Sequence, residues 1–302
     1  MPVAVLTACL FALTGICATQ ASRLLGGARA NFWRLLIATC VLSLYAHLWG
    51  QGWGGSAAPW FFLAGGIGFG LGGYCMFQAL RRTGSTLTLL IEQCAATIFA
   101  AAIGWVFLDA GLILLEILLI IVILSGVIWG MSPGPLPNLP RRVLRTGLVF
   151  ALAAALFQAV SFNLSRQAFI LIAKTGETLT ALTAAYQRLT GGVIVALILY
   201  GITYFVLRQK IFAPAPRQIQ PSPFPAPVWV CANALFGPVL GVSSMLWAIR
   251  LVENVGLVQA IAATATLLTV PLACLLEGAR PKRSYYGGAA LALAGVAGLL
   301  LM

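Results

Sequence analysis

Acid–base or nucleophilic chemistry in this chain would have to come from very few residues: six carboxylates, one histidine and seven cysteines among 302 residues. The carboxylates are Glu92, Asp109, Glu116, Glu177, Glu253 and Glu277, and only Glu92 and Glu116 stand well inside an apolar run. An ionisable residue in such a run faces the protein interior or a water-filled cavity, and it marks a functional site by default. Glu92, followed by Gln93, lies about 10 Å into its run at 1.5 Å per helical residue. That position suits a proton-coupling group or a binder of a substrate amine. The alternative is a structural pair with Arg34, which enters from the same side. His47, near the end of its run, reads as an interfacial residue, because one histidine cannot build a zinc site or drive acyl transfer. Cys9, Cys17, Cys40, Cys75, Cys94, Cys231 and Cys274 all fall in apolar runs without CxxC spacing and read as small buried hydrophobes. No metal, cofactor or nucleophile with a base is implied, so an intramembrane enzyme is the remotest reading.

The remaining site candidates are polar side chains stranded among apolar ones. Tyr74 and Gln78 are four residues apart and share a helical face, an aromatic ring beside an amide that could line a cavity for a small zwitterion or flat heterocycle. Trp247, with Ser243, occupies the matching place later in the chain. Gln20, Gln158 and Gln259 are similar substrate-contact candidates. Arg34 and Arg188 read first as interface anchors whose stems cross apolar surface while the charge reaches the headgroups, and second as contacts for a substrate anion.

What positions these residues is a bilayer. The chain is 61% apolar and 8% charged, with a mean hydropathy of +1.00, which no soluble protein's polar skin could cover. A hydrocarbon core of about 30 Å needs about 20 mostly apolar helical residues. Ten such runs occur, near 3–21, 31–49, 59–79, 85–107, 111–130, 146–165, 182–206, 228–248, 256–276 and 284–302. They are continuous rather than alternating, so they predict helices and not a barrel. The first has no Lys or Arg before it and matches the sixth, so it is expected to stay as a helix rather than leave as a signal peptide.

The chain repeats itself. Gly68 to Arg81 recurs as Gly237 to Arg250, 169 residues on, matching at Gly, Leu, Gly, Met, Ala and Arg, and Leu124-Ser125-Gly126-Val127 recurs as Leu293-Ala294-Gly295-Val296. Nearer the front, Phe32-Trp33-Arg34-Leu35 echoes Tyr186-Gln187-Arg188-Leu189. Five helices per copy is an odd number, so the second copy must enter the membrane inverted. The expected fold is therefore an all-α integral membrane protein of ten transmembrane helices as two inverted five-helix repeats: 1–131, a Pro-rich linker 132–145, and 146–302. A second Pro-rich connection runs from Arg208 to Pro227. Asp109 and Glu277, at equivalent helix ends, then fall on opposite sides and form no catalytic dyad.

A net charge of +12 would suggest nucleic acid in a soluble protein. Here the basic residues sort by membrane side, which insertion bias and anionic lipid explain without a nucleic acid. Fourteen share one side, and Arg166, Lys174, Arg188 and Arg250 share the other. The positive-inside rule then places the connections after the odd helices in the cytoplasm and both termini outside.

The order of these segments resembles the drug/metabolite transporter superfamily, specifically ten-helix EamA-type carriers. The marks are the Arg34-Leu-Leu-Ile-Ala run opening helix two, Ala79-Leu80 followed by Thr83-Gly84-Ser85, the Leu-acid ends at Asp109 and Glu277, and the Gly-Val run near the end of each half. The chain departs from such carriers in having Ala96 and Thr264 where prolines are usual, and in a charge count opposed to their cytoplasmic termini. The resemblance implies alternating access around a central cavity built from the first four helices of each half, with the fifth and tenth outside. The expected function is a secondary transporter of small polar metabolites, an amino-acid or related exporter of the bacterial inner membrane. No phosphate-binding Gly-rich loop is present to use ATP, so a proton or other ion gradient would drive it. A lipid or lipid-precursor translocator is the alternative, and the charge and repeat patterns do not choose between a monomer and a homodimer.

Overall fold

A computed structural model of the chain describes residues 2–131, 140–205, 224–277 and 282–302. Arg208, Lys210, Arg217, Arg280 and most of both Pro-rich connections lie outside the described residues, as does the side chain of Glu277. Ten helical spans account for the ten apolar runs: α1 (Pro2–Leu25), α2 (Gly27–Leu48), α3 (Ala58–Thr83), α4 (Ser85–Leu108), α5 (Leu114–Gly130), α6 (Arg141–Thr175), α7 (Ala181–Phe205), α8 (Ala226–Arg250), α9 (Val255–Ala263 and Ala265–Glu277) and α10 (Arg283–Leu301). There is no strand among the described residues. Helices are what lipid demands, because each must satisfy its backbone groups within itself.

The ends are set by local chemistry. Gly84 (φ 80°) stops α3 and Gly176 (φ 71°) stops α6, both in backbone regions that glycine enters without a Cβ penalty. At the start of α5, Glu116 accepts a hydrogen bond from the Ile113 N–H at 2.9 Å, which makes this acid a helix cap. The 35-residue α6 begins at Arg141 and ends at Thr175, well beyond the expected 146–165. At 1.5 Å per residue it is about 50 Å long, more than the hydrocarbon core, so its basic ends stand among headgroups.

The halves pack by exchanging partners. α1 lies against α8 and α9, while α6 lies against α3 and α4, the same arrangement with the halves swapped; α2 pairs with α7 at the centre and α5 with α10 outside. Small residues allow the tightest approaches, as expected where lipid supplies no hydrophobic drive between helices. A Cβ on Gly65 of α3 would stand 1.7 Å from the carbonyl oxygen of Arg188 on α7, and one on Gly288 of α10 would stand 2.2 Å from the Gly130 nitrogen on α5.

The central helices α3 and α8 are not regular. Each carries a π-helical stretch, Gly66–Gly72 in α3 and Leu235–Gly241 in α8. The stretches stand at the 169-residue offset of the repeat, so the duplication preserves the irregularity as well as the sequence. In α8 it contains Pro238, which lacks a backbone donor. A wide turn leaves carbonyls free for other partners, and such bulges concentrate at functional sites.

Candidate functional site

The two irregular helices wall a cavity of about 80 Å³ in the middle of the bundle. Phe11, Thr14 and Gly15 of α1, Arg34 of α2, Gly68, Phe69, Gly72, Gly73, Met76 and Leu80 of α3, Glu92 and Gln93 of α4, Gln158 of α6 and Gly237 and Pro238 of α8 contribute. Arg34 and Glu92 are both buried, at 6% and 4% exposure, and act on each other electrostatically. One Glu92 carboxylate oxygen has no hydrogen-bond partner. Arg34 Nε donates to Asn31 Oδ1 at 3.0 Å, and its guanidinium carbon lies 5.0 Å from the Phe77 ring centre. Asn31 Nδ2 in turn donates to the carbonyl of Phe69 at 3.4 Å, inside the π-helical stretch. The acid, the arginine and the irregular backbone are thus one connected set.

Gln93 accepts a hydrogen bond from Gln259 Nε2 at 2.9 Å, which ties α4 to α9 across the two halves. Gln259 is fully buried and stands behind Gln93. Gln20 is half-buried on α1 and lies outside the cavity lining.

Three expectations require correction. Arg34 and Arg188 do not reach the headgroups, because both side chains turn inward; Arg188 is 1% exposed. Its Nη2 donates to Ser161 Oγ at 2.6 Å, and its guanidinium carbon sits 4.6 Å from the Phe162 ring centre and 5.2 Å from that of Phe69. Tyr74 and Gln78 share a face, but Gly73, Met76 and Leu80 form the cavity side of this segment. The Gln78 amide and backbone oxygens instead accept from Arg82 Nη1, at 2.8 and 2.7 Å. Trp247 is 53% exposed, its ring on the outer surface of α8, while Ser243 on the same helix is buried with an unpartnered hydroxyl.

A second, larger hollow of about 350 Å³ opens at the end of the bundle where α6 and α8 finish, lined by Arg166, Phe169, Lys174, Glu177 and Arg250 among others. Backbone clips close this end. Glu177 accepts from the Ser56 N–H at 3.1 Å, Gln51 Nε2 donates to the Thr178 carbonyl, Gln187 Nε2 donates to the carbonyls of Gly52 and Gly54, and Arg250 Nη1 donates to that of Leu179 at 3.1 Å. His47 stands here too, its Nε2 3.0 Å from the Tyr186 hydroxyl, in an aromatic group with Trp53.

Sequence reasoning passed over Asn31, Ser161 and Phe162. Asn31 had a visible signal, since it lies three residues before Arg34 and so shares its helical face. Ser161 and Phe162 had none, because what matters about them is the arginine they meet from another helix.

Comparisons with known proteins agree with this architecture. No curated protein matches the chain. Twenty-six chains of solved structure match. One crystal structure superposes with a TM-score of 0.69 at 18% identity, over 99% of this chain and 96% of that chain, a likeness of fold. Residues 1–131, the span of the first five helices, match the EamA-like transporter family. The ten apolar helical spans make the chain a multi-pass membrane protein, and its first five helices are similar to the EamA-like transporter family.

Proposed function

We propose that the chain is a secondary transporter that moves a small polar metabolite, an amino acid or a related compound, outward across the bacterial inner membrane by alternating access. The observation that carries this reading is the buried Arg34–Glu92 pair. It faces, with Gln93 and Gln158, a cavity whose walls come from both five-helix halves and include both π-helical stretches. Carrier sites of this kind lie near the midplane where repeats meet. At about 80 Å³ the cavity is smaller than the 300–1,000 Å³ or so of ordinary ligand pockets. Admitting a metabolite requires α3 and α8 to move, and their π-helical turns and glycines are where such movement costs least.

Glu92 serves in this reading as the coupling group, alternating between Arg34 and a proton or substrate amine. The domain division follows the repeat, with residues 1–131 and 146–302 rocking about the α2–α7 pair. Counterflow into amino-acid-loaded proteoliposomes tests the function without an assumed direction, and failure of labelled amino acids to accumulate from folded protein would refute it.

The distribution of basic residues supports an orientation with both termini outside the cytoplasm. A periplasm-active phosphatase fused after Met302 is then expected to be active and a cytoplasm-active fluorescent protein dark; the reverse pattern would overturn the orientation while leaving the carrier reading intact.

A further inference from the structure

The buried charges of the core do not cancel. Among the described residues Arg34 and Glu92 offset each other, and no carboxylate stands beside Arg188. The other acids are engaged elsewhere among the described residues: Glu116 on the Ile113 N–H, Glu177 on the Ser56 N–H, and Glu253 acting on Arg166, with Asp109 exposed at the end of α4. Nε and Nη1 of Arg188 are buried without a hydrogen-bond acceptor. The rings of Phe69 and Phe162 offset part of the desolvation of the cation, but they cannot accept its in-plane N–H groups. A guanidinium presents those donors in a planar fork that matches a carboxylate.

Arg188 also lies next to the transport cavity. Gly68 and Phe69 line that cavity. A Cβ on Gly68 would stand 2.3 Å from Ser161 Oγ and 3.5 Å from Arg188 Nη2, so Gly68, which lines the cavity, is backed directly by Ser161 and the arginine. Ser161 in turn donates to the carbonyl of Ala64, just before the π-helical stretch, at 2.5 Å. The four basic residues on the sparsely charged side fit one pattern. Arg166, Lys174 and Arg250 line the hollow at the end of α6, and Arg188 is buried deeper on α7. Cations lining a cleft concentrate anions there.

We propose that Arg188, with Ser161, is the carboxylate subsite of the transport path, and that the cargo carries a carboxylate which the basic hollow gathers and Arg188 binds when α3 shifts. This rests on the transporter reading and narrows its substrate to carboxylate-bearing metabolites, with amines lacking that group excluded.

The test is thermal unfolding of the purified full-length chain at one pH and one ionic strength, in sodium acetate, ethylammonium chloride or sodium chloride, with phosphatidylglycerol added in a separate arm. Acetate at about ten times its Kd should raise the Tm of the wild type over chloride by about 2–4 °C. Arg188→Gln should abolish that difference, and Ser161→Ala, which keeps the charge, should weaken it. Equal Tm values in acetate and chloride, an acetate gain that survives Arg188→Gln, stabilisation by ethylammonium alone, or stabilisation by phosphatidylglycerol alone would each overturn the assignment. Acetate binding without counterflow would leave a carboxylate site at Arg188 but remove its place on a transport path, and with it the transporter reading; counterflow without an acetate effect would keep that reading and remove the subsite.

Discussion

Glu92→Gln should make transport insensitive to an imposed pH gradient. In proteoliposomes carrying the wild-type chain, a gradient is expected to change the transport rate by about tenfold or more, equivalent to about 1.4 kcal/mol in the rate-determining step. The variant should show the same rate with and without the gradient. The reason lies in the inventory of the core. Among the described residues Glu92 is the one carboxylate lining the cavity, and Arg34 is the cation that acts on it. One carboxylate oxygen has no partner, so it is free to take a proton or meet a substrate. Glutamine keeps the shape and the hydrogen-bonding capacity but cannot exchange a proton. It also leaves Arg34 without its counter-charge, and an unpaired buried cation is destabilising by itself. The double variant Glu92→Gln, Arg34→Gln restores neutrality, and it too should be flat against the gradient. A gradient response that persists in either variant would remove Glu92 from coupling.

Gly65→Ala should be the most damaging glycine-to-alanine change among the described residues. The added carbon would fall 1.7 Å from the carbonyl oxygen of Arg188 and 2.7 Å from its Cα. Both are backbone atoms of a helix fixed at the centre of the bundle, so no side chain can swing aside and α3 must separate from α7. Overpacking of this kind costs about 1–3 kcal/mol where side chains can adjust, and here the cost should be at or above the top of that range. The same change at Gly201, where nothing lies within 4 Å of the new carbon, should be neutral or stabilising by up to about 1 kcal/mol, since alanine is the better helix former. Thermal unfolding of the two variants in detergent checks the contrast; equal Tm values would show that the α3–α7 contact is not as close as described.

Much of this architecture is legible in the sequence, for reasons that differ by feature. The ten spans follow from continuous apolarity, which few other constraints can produce. The repeat pointed at the right segment of α3 and α8 without revealing its geometry. Six glycines between Gly65 and Gly73 read as a close-packing face, and nothing in a residue list separates a tight α-helical approach from a π-helical turn. Glu92 was recognisable because a lone acid in an apolar run has few innocent explanations. Arg188 was not. An arginine preceded by Tyr186 and Gln187 near the start of an apolar run looks like part of an interfacial belt. Its burial depends on Ser161, Phe162 and Phe69, which reach it from α6 and α3. Trp247 failed in the opposite sense: the repeat pairs it with Gln78, but equivalence in sequence does not make both positions face inward, and here neither lines the cavity.

The central claim is that the cavity between the two halves is the transport site. Counterflow of a labelled amino-acid mixture by the wild-type chain beside Gln158→Trp, whose indole would fill the cavity from α6, tests it most directly. The account predicts accumulation above empty liposomes for the wild type and none for a Gln158→Trp protein that unfolds at the wild-type temperature. Undiminished accumulation by that variant, or none by the wild type, would contradict it.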